Sequence, residues 1–285
     1  MFTRAIVRPP APNFAEGLTT AALGAPDYQL ALRQHDAYCA ALERSGLILT
    51  QLAADPDYPD STFVEDAAVL TTECAVLTRP GAPSRAGEVA HIKEVLSEFY
   101  PSLLSIEPPG TLDGGDVCQA GKHFFIGISS RTNEAGAQQL AEMLTPHGYT
   151  TSVVDIRGAN EMKSVPGADR GPRAGSPRGV VDATGSALRE ILHLKSGIAY
   201  VGDNRLVVVA DLAERAQFAG YYLVHVNSDE EYAANCVRIN QYVLVAAGHP
   251  VFESELQQLG YQTIALDMSE FQKMDGGLSC LSLRF

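Results

Sequence analysis

Two residues of this 285-residue chain are candidates for a nucleophile and its proton carrier, Cys280 and His193. A thiolate is a strong nucleophile, and an imidazole beside it can hold a proton and return it to a leaving group. In a chain with five cysteines and seven histidines such a pair alone carries little weight. Their positions carry more. Short polar clusters recur at Glu65-Asp66, Asp113 to Asp116, His193, Asn235 and Ser279-Cys280. The interval is about 45 residues, with one longer gap before His193. If the repeats surround an axis, the clusters face one mouth, and Glu65, Asp66, Asp113, His193 and Cys280 converge there.

Asp60, Glu65, Asp66 and Asp113 would crowd that mouth. Several carboxylates around an apolar pocket are costly unless a cation binds them. A guanidinium fits best, since it is planar, permanently charged and matches carboxylates with paired N–H groups. It would also favour the thiolate of Cys280. Phe63 can supply an apolar wall. Arg85 and Arg131 lie one repeat apart, each just after a hairpin, and are candidate binding residues.

The elements that must position these groups follow from hydrophobic alternation and turn residues. Four segments read as a strand hairpin and then a helix. They are Ala68–Arg79 with a helix over about 86–99, and Asp116–Ser129 with a helix over about 134–144. The others are Ile198–Ala210 with a short helix near 212–218, and Cys236–Ala247 with a helix near 252–259. Each helix is followed by another strand-like run. A fifth unit is split between Leu278–Phe285 and Phe2–Val7, so the array predicts a closed ring with no free sheet edge. The segment at about 157–190 is rich in Gly, Pro, Arg and Ser, and reads as a disordered surface insertion into a single domain of residues 1–285.

Bulk properties restrict the partners. A net charge of -13 argues against nucleic acid and is compatible with a cationic substrate. No apolar run is long enough to span a membrane, and residues 1–10 lack the pattern of a secretory signal. The cytoplasm is the expected compartment. The cysteines are scattered and form no CxxC, so neither a zinc ribbon nor a disulfide framework is expected. Cys39, Cys74, Cys118 and Cys236 read as structural.

Seven motifs carry a resemblance: FVED (Phe63–Asp66), TRPGAPSR (Thr78–Arg85), TLDGGD (Thr111–Asp116), SRTN (Ser130–Asn133), LHLKS (Leu192–Ser196), AANC (Ala233–Cys236) and DGGLSC (Asp275–Cys280). Together, from residue 2 to 285 apart from the insertion, they resemble the dimethylarginine dimethylaminohydrolases. These belong to the guanidine-modifying, or pentein, superfamily. The resemblance implies an α/β fold, a five-bladed α/β propeller with pseudo-fivefold ββαβ repeats. It implies hydrolysis of dimethylarginine or monomethylarginine to citrulline and a methylamine, with no cofactor and no metal.

The same resemblance implies the roles. Cys280 would attack the guanidinium carbon, forming a thiouronium. His193 would protonate the amine and then activate water. Asp113 would orient His193. Glu65 and Asp66 would grip the guanidinium, and Asp60 with the carbonyl of Met274 would hold the α-amino group. Arg85 and Arg131 would clamp the α-carboxylate, and Leu18 would touch substrate from a lid loop. The expected partner is a small-molecule substrate, on a monomer or homodimer, with no nucleic acid and no membrane. Adventitious zinc could bind Cys280 and His193. Two alternatives stay open: deimination of arginine or amidino transfer by the same chemistry, and a catalytically silent propeller that binds an arginine-like ligand or a protein.

Overall fold

The computed structural model describes residues 1–157 and 191–285; the predicted insertion lies outside these apart from Arg157. Five three-stranded sheets succeed one another along the chain. In chain order the first contains β1 (Arg4–Val7) and β2 (Ile48–Gln51), joined by α1 (Tyr28–Arg44). The second is β3 (Ala68–Leu70), β4 (Ala75–Leu77), α2 (Glu88–Leu96) and β5 (Leu103–Ser105). The third is β6 (Val117–Ala120), β7 (His123–Ile128), α3 (Glu134–Leu144) and β8 (Thr150–Asp155). The fourth is β9 (Ile198–Gly202), β10 (Arg205–Val209) and β11 (Tyr222–Val226). The fifth is β12 (Val237–Ile239), β13 (Tyr242–Ala246), α4 (Pro250–Gln258) and β14 (Gln262–Leu266), followed by α5 (Ser269–Gln272) and β15 (Leu283–Arg284).

Every sheet has one pattern: an antiparallel pair, then a parallel third strand. β15 completes the first sheet by pairing antiparallel with β1, Ala5 opposite Arg284. This is the predicted α/β five-bladed propeller closed by its ends. The middle strands β7, β10 and β13 are apolar and buried, as strands covered on both faces must be.

Local chemistry explains the turns. Asp203 and Asn204 take positive φ (52° and 58°) between β9 and β10, as a two-residue hairpin of primed type requires. Asn240 (φ 54°) turns β12 into β13, and its side chain bonds Phe2 at both N and O and the Ser45 carbonyl, tying the fifth module to the first.

Two elements differ from expectation. The fourth module has no α-helix; two 3-10 turns, Ala210–Leu212 and Ala216–Phe218, bury Leu212 and Phe218 instead. The two large residues this link buries, Leu212 and Phe218, are six apart, a spacing that puts them on different faces of an α-helix. Helix α1 was not assigned from sequence. Its N-cap Asp27 accepts the Leu30 N–H at 2.8 Å, and it packs against β2, β14 and α5. Among the described residues no helix is long and apolar enough to cross a membrane.

The inner strands β3, β6, β9, β12 and β15 line a central channel of about 550 Å³. The candidate site lies at the end where the chain enters these strands.

Candidate active site

The five polar clusters fall on short 3-10 segments ahead of the inner strands: Val64–Ala67, Gly114–Asp116, Leu194–Ser196, Ser228–Ala234 and Ser279–Leu281. Asp113 and His193 hold the same place in adjacent modules, the extended residue just before the turn. Their side chains meet, His193 Nε2 lying 3.1 Å from Asp113 Oδ2. The other Asp113 oxygen accepts the Gly81 N–H at 2.8 Å. Two glycines permit the approach. A Cβ on Gly114 would come within 2.0 Å of the Glu65 carbonyl oxygen, and one on Gly115 within 2.8 Å of the His193 ring.

The carboxylates set the charge of the imidazole. Burial disfavours the imidazolium, but Asp66, Asp113 and Asp116 outweigh it and push His193 up to about 9. Asp113 is held below the usual carboxylate range; burial opposes this and the hydrogen bond and charge of His193 prevail. Near neutral pH the pair is therefore carboxylate and imidazolium. Asp116 is fully buried behind it and accepts the Leu194 N–H (2.9 Å) and the Ser129 hydroxyl (2.6 Å). Burial pushes its carboxyl up to about 6.

His193 and Cys280 line one pocket with Leu18, Asp60, Phe63, Asp66, Arg85, Arg131, Leu192, Met274, Asp275 and Gly276. Asp113 stands behind His193 with no exposed surface. Cys280 is half-buried in the middle of the Ser279–Leu281 turn, whose other residues are buried, and its N–H donates to the Gly277 carbonyl at 3.2 Å. Burial, then Glu65 and Asp66, push its thiol up to about 12. These groups favour the thiol over the thiolate near neutral pH.

The pocket's acids and arginines are not equally available. Arg85 is buried and gives its N–H groups to the protein: Nε and Nη2 to Glu88 (2.9 and 2.7 Å), Nη1 to Asp66 (2.5 Å), and Nη2 to the Asp60 and Phe63 carbonyls. Burial weakens its charge, but Glu88 and Asp66 more than restore it. Glu88 is raised to about 7 by burial, with Arg85 opposing. The guanidinium of Arg131 is half-buried and makes no hydrogen bond among the described residues. Both Asp60 oxygens accept the Leu18 N–H (3.0 and 3.1 Å), so Leu18 has only its carbonyl to offer a ligand. The loop that follows is tied down by Thr19 Oγ1 to the Lys273 carbonyl and Thr20 Oγ1 to Asp275.

Glu65 does not line this pocket. Its carboxylate faces the central channel, where it bonds Lys195 Nζ (2.6 Å), Arg284 Nη2 (2.9 Å) and Ser279 Oγ (2.7 Å). Successive side chains of a 3-10 turn diverge by about 120°. Neighbours Glu65 and Asp66 therefore line different cavities, and only Asp66 enters the pocket of Cys280.

Asp66, Asp113 and His193 each offer one ligand atom, all within 4.8 Å of one another. A metal there would have to displace the His193 proton and compete with Arg85, Gly115 and Gly81 for the carboxylates.

Residue types and spacing give no role to Asp116, Glu88 or Lys195. Asp116 was visible as the last letter of TLDGGD. The three-residue spacing of Arg85 and Glu88 at a helix start was a legible ion-pair signal. Lys195 had none, because its partner Glu65 is distant in sequence.

The description "Arginine deiminase" belongs to the family model matching residues 36–164. The chain is 40% identical, over the whole of both proteins, to N(G),N(G)-dimethylarginine dimethylaminohydrolase of Pseudomonas aeruginosa. It is 33% identical to the enzyme of that name from Streptomyces coelicolor, over 99% of this chain and 96% of the relative. A solved structure of the Pseudomonas aeruginosa enzyme, a mutant complexed with citrulline, superposes with a TM-score of 0.87 at 39% identity, covering both chains fully. The N-terminal domain of a cyanobacterial arginine dihydrolase shares the fold, with a TM-score of 0.80 at 15% identity over 100% of this chain and 97% of that one. With its propeller, its turn-borne thiol, imidazole and carboxylates, and full-length identity of this degree, the chain belongs to the dimethylarginine dimethylaminohydrolase family.

Proposed function

We propose that this chain hydrolyses N(ω),N(ω)-dimethyl-L-arginine, and monomethylarginine, to citrulline and the methylamine through a covalent intermediate on Cys280. One observation carries the reading: Cys280 shares a pocket with the imidazole of His193, which is bonded to a buried carboxylate, beside Asp66 and Asp60.

The chemistry follows from the charges. A bound guanidinium beside Asp66 brings a permanent positive charge to a thiol otherwise held near 12. That charge favours the thiolate, and the proton leaves to solvent. The sulfur then bonds the guanidinium carbon. His193, protonated at neutral pH, gives its proton to the departing dimethylamine nitrogen as the C–N bond breaks. The neutral imidazole next takes a proton from water, and the resulting hydroxide adds to the thiouronium carbon. Collapse breaks the C–S bond as the added hydroxyl loses its proton to solvent, freeing citrulline and leaving the thiolate beside the imidazolium. Asp113 keeps the ring oriented through both steps and stabilises its charged form before the first and after the second.

In this reading Arg131 binds the α-carboxylate, because its guanidinium is uncommitted, while Arg85 fixes Asp66 and the Asp60 backbone. Asp60 and the carbonyls of Leu18 and Met274 hold the α-amino group. All five cysteines are free thiols, which fits a reducing compartment, and we place the reaction in the cytoplasm.

The test is citrulline formation from dimethylarginine, monomethylarginine and arginine side by side. Dimethylarginine should be turned over with a kcat/KM at least tenfold that for arginine. Faster turnover of arginine would replace the proposal with deimination, and no citrulline from any of the three would end it.

A further inference from the structure

Asn235 lies outside the pocket, yet its amide joins the turns that present Cys280 and His193. Its Oδ1 accepts the Ser279 N–H at 2.8 Å, from the residue immediately before Cys280. Its Nδ2 donates to the Lys195 carbonyl at 3.0 Å, two residues beyond His193, and to Ser279 Oγ at 3.1 Å. The His193 turn is itself closed by Ser196 N–H to the His193 carbonyl at 2.9 Å. Glu65 completes a ring, bonding Lys195 Nζ at 2.6 Å and Ser279 Oγ at 2.7 Å. The residues between Gly277 and Cys280 wrap closely around the amide. A Cβ on Gly277 would lie 2.6 Å from both Cγ and Oδ1 of Asn235, and the Gly277 carbonyl is the acceptor for the Cys280 N–H.

We infer that Asn235 is a positioning residue that sets the sulfur of Cys280 in register with the imidazole of His193. Only an amide meets its surroundings, one acceptor facing an N–H and two donors facing two oxygens. A carboxylate would face the Lys195 carbonyl and Ser279 Oγ without protons. An alanine would leave the Ser279 N–H and Lys195 carbonyl buried without partners. The inference rests on the covalent reading of Cys280, because register matters only if sulfur and imidazole act on one carbon.

The experiment compares wild type, Asn235→Asp, Asn235→Ala and Gly277→Ala. Active sites are counted by labelling Cys280 with a chloroacetamidine reagent, and kcat and KM for dimethylarginine are expressed per labelled site. A misplacement of about 1 Å costs on the order of 100-fold in rate, so kcat per site should fall ten- to hundredfold in each variant. KM should stay within about threefold, because Asn235 does not touch the pocket. A merely structural role would lower the number of labelled sites and leave kcat per site unchanged, and that result overturns the inference. So does an equal loss in kcat/KM that lies wholly in KM. Should Asn235→Ala fail to fold, Asn235→Asp and Gly277→Ala carry the same comparison. If wild-type protein labels yet turns over no methylarginine, the proposed function fails, not the role of Asn235.

Discussion

The imidazole of His193 and the carboxylate of Asp113 meet at 3.1 Å although 80 residues of chain separate them. This buried acid thereby orients the proton carrier and, with Asp66 and Asp116, holds it charged. Removing that acid as Asp113→Asn should lower the pKa of His193 from about 9 toward neutrality. The descending limb of kcat against pH, where imidazolium is lost, should move to lower pH. A profile from pH 6 to 10 checks this. His193→Ala should lose about 10²–10⁴-fold in kcat, the worth of a positioned acid/base.

Cys280→Ser should abolish turnover while substrate binding stays measurable by calorimetry. Mass spectrometry of wild type quenched during turnover should show the thiouronium adduct on Cys280 and none on the variant. Substantial activity in Cys280→Ser would rule out the covalent route.

A thiol pushed to about 12 should respond to the charge of its attacker. Neutral iodoacetamide should alkylate Cys280 slowly at pH 7.5 and faster as pH rises. A cationic chloroacetamidine should react far faster at the same pH, because it supplies the charge that favours the thiolate. Equal rates for the two reagents would show that the cation has no such effect.

The two pocket arginines should fail differently. Arg131→Ala should raise KM by about 100-fold, the loss of a charged hydrogen-bonded contact of roughly 2–3 kcal/mol, and leave the melting temperature nearly unchanged. Arg85→Ala should destabilise the fold by about 3–5 kcal/mol, because Asp66 and Glu88 would be left buried without their partner. Thermal melts with parallel kinetics separate the two.

Stability should also depend on His193. Its pKa is raised on folding, so its contribution is fully present below the unfolded value near 6.5 and is lost as pH rises through about 9. Urea midpoints at pH 6.5 and 9.5 should fall more for wild type than for His193→Gln.

Much of this arrangement was legible from residue spacing. The period of the polar clusters placed Cys280, His193 and Asp113 at one end of a ring, and alternating apolar runs located the four inner hairpins. What spacing could not convey was direction within a turn. Glu65 and Asp66 are adjacent and chemically alike, yet a 3-10 turn sends one to the channel and the other to the cysteine pocket. Nor could it convey commitment. Arg85 and Arg131 look equivalent in sequence, but the buried Glu88, three residues on, claims one of them. Helix α1 escaped because its apolar face is interrupted by the buried polar Gln34 and His35.

The pairing of β15 with β1 bears on how the protein comes to be made. Of all the groups around the pocket, the sulfur is the last to leave the ribosome, and the strand that must anchor it is the first. Until the two meet, a nascent chain holds an unclosed ring with a bare sheet edge, and contacts of such sequence separation form slowly. Competence to react is therefore withheld until β15 has been made, and a shorter nascent chain has no assembled thiol–imidazole pair with which to modify arginine-like molecules around it.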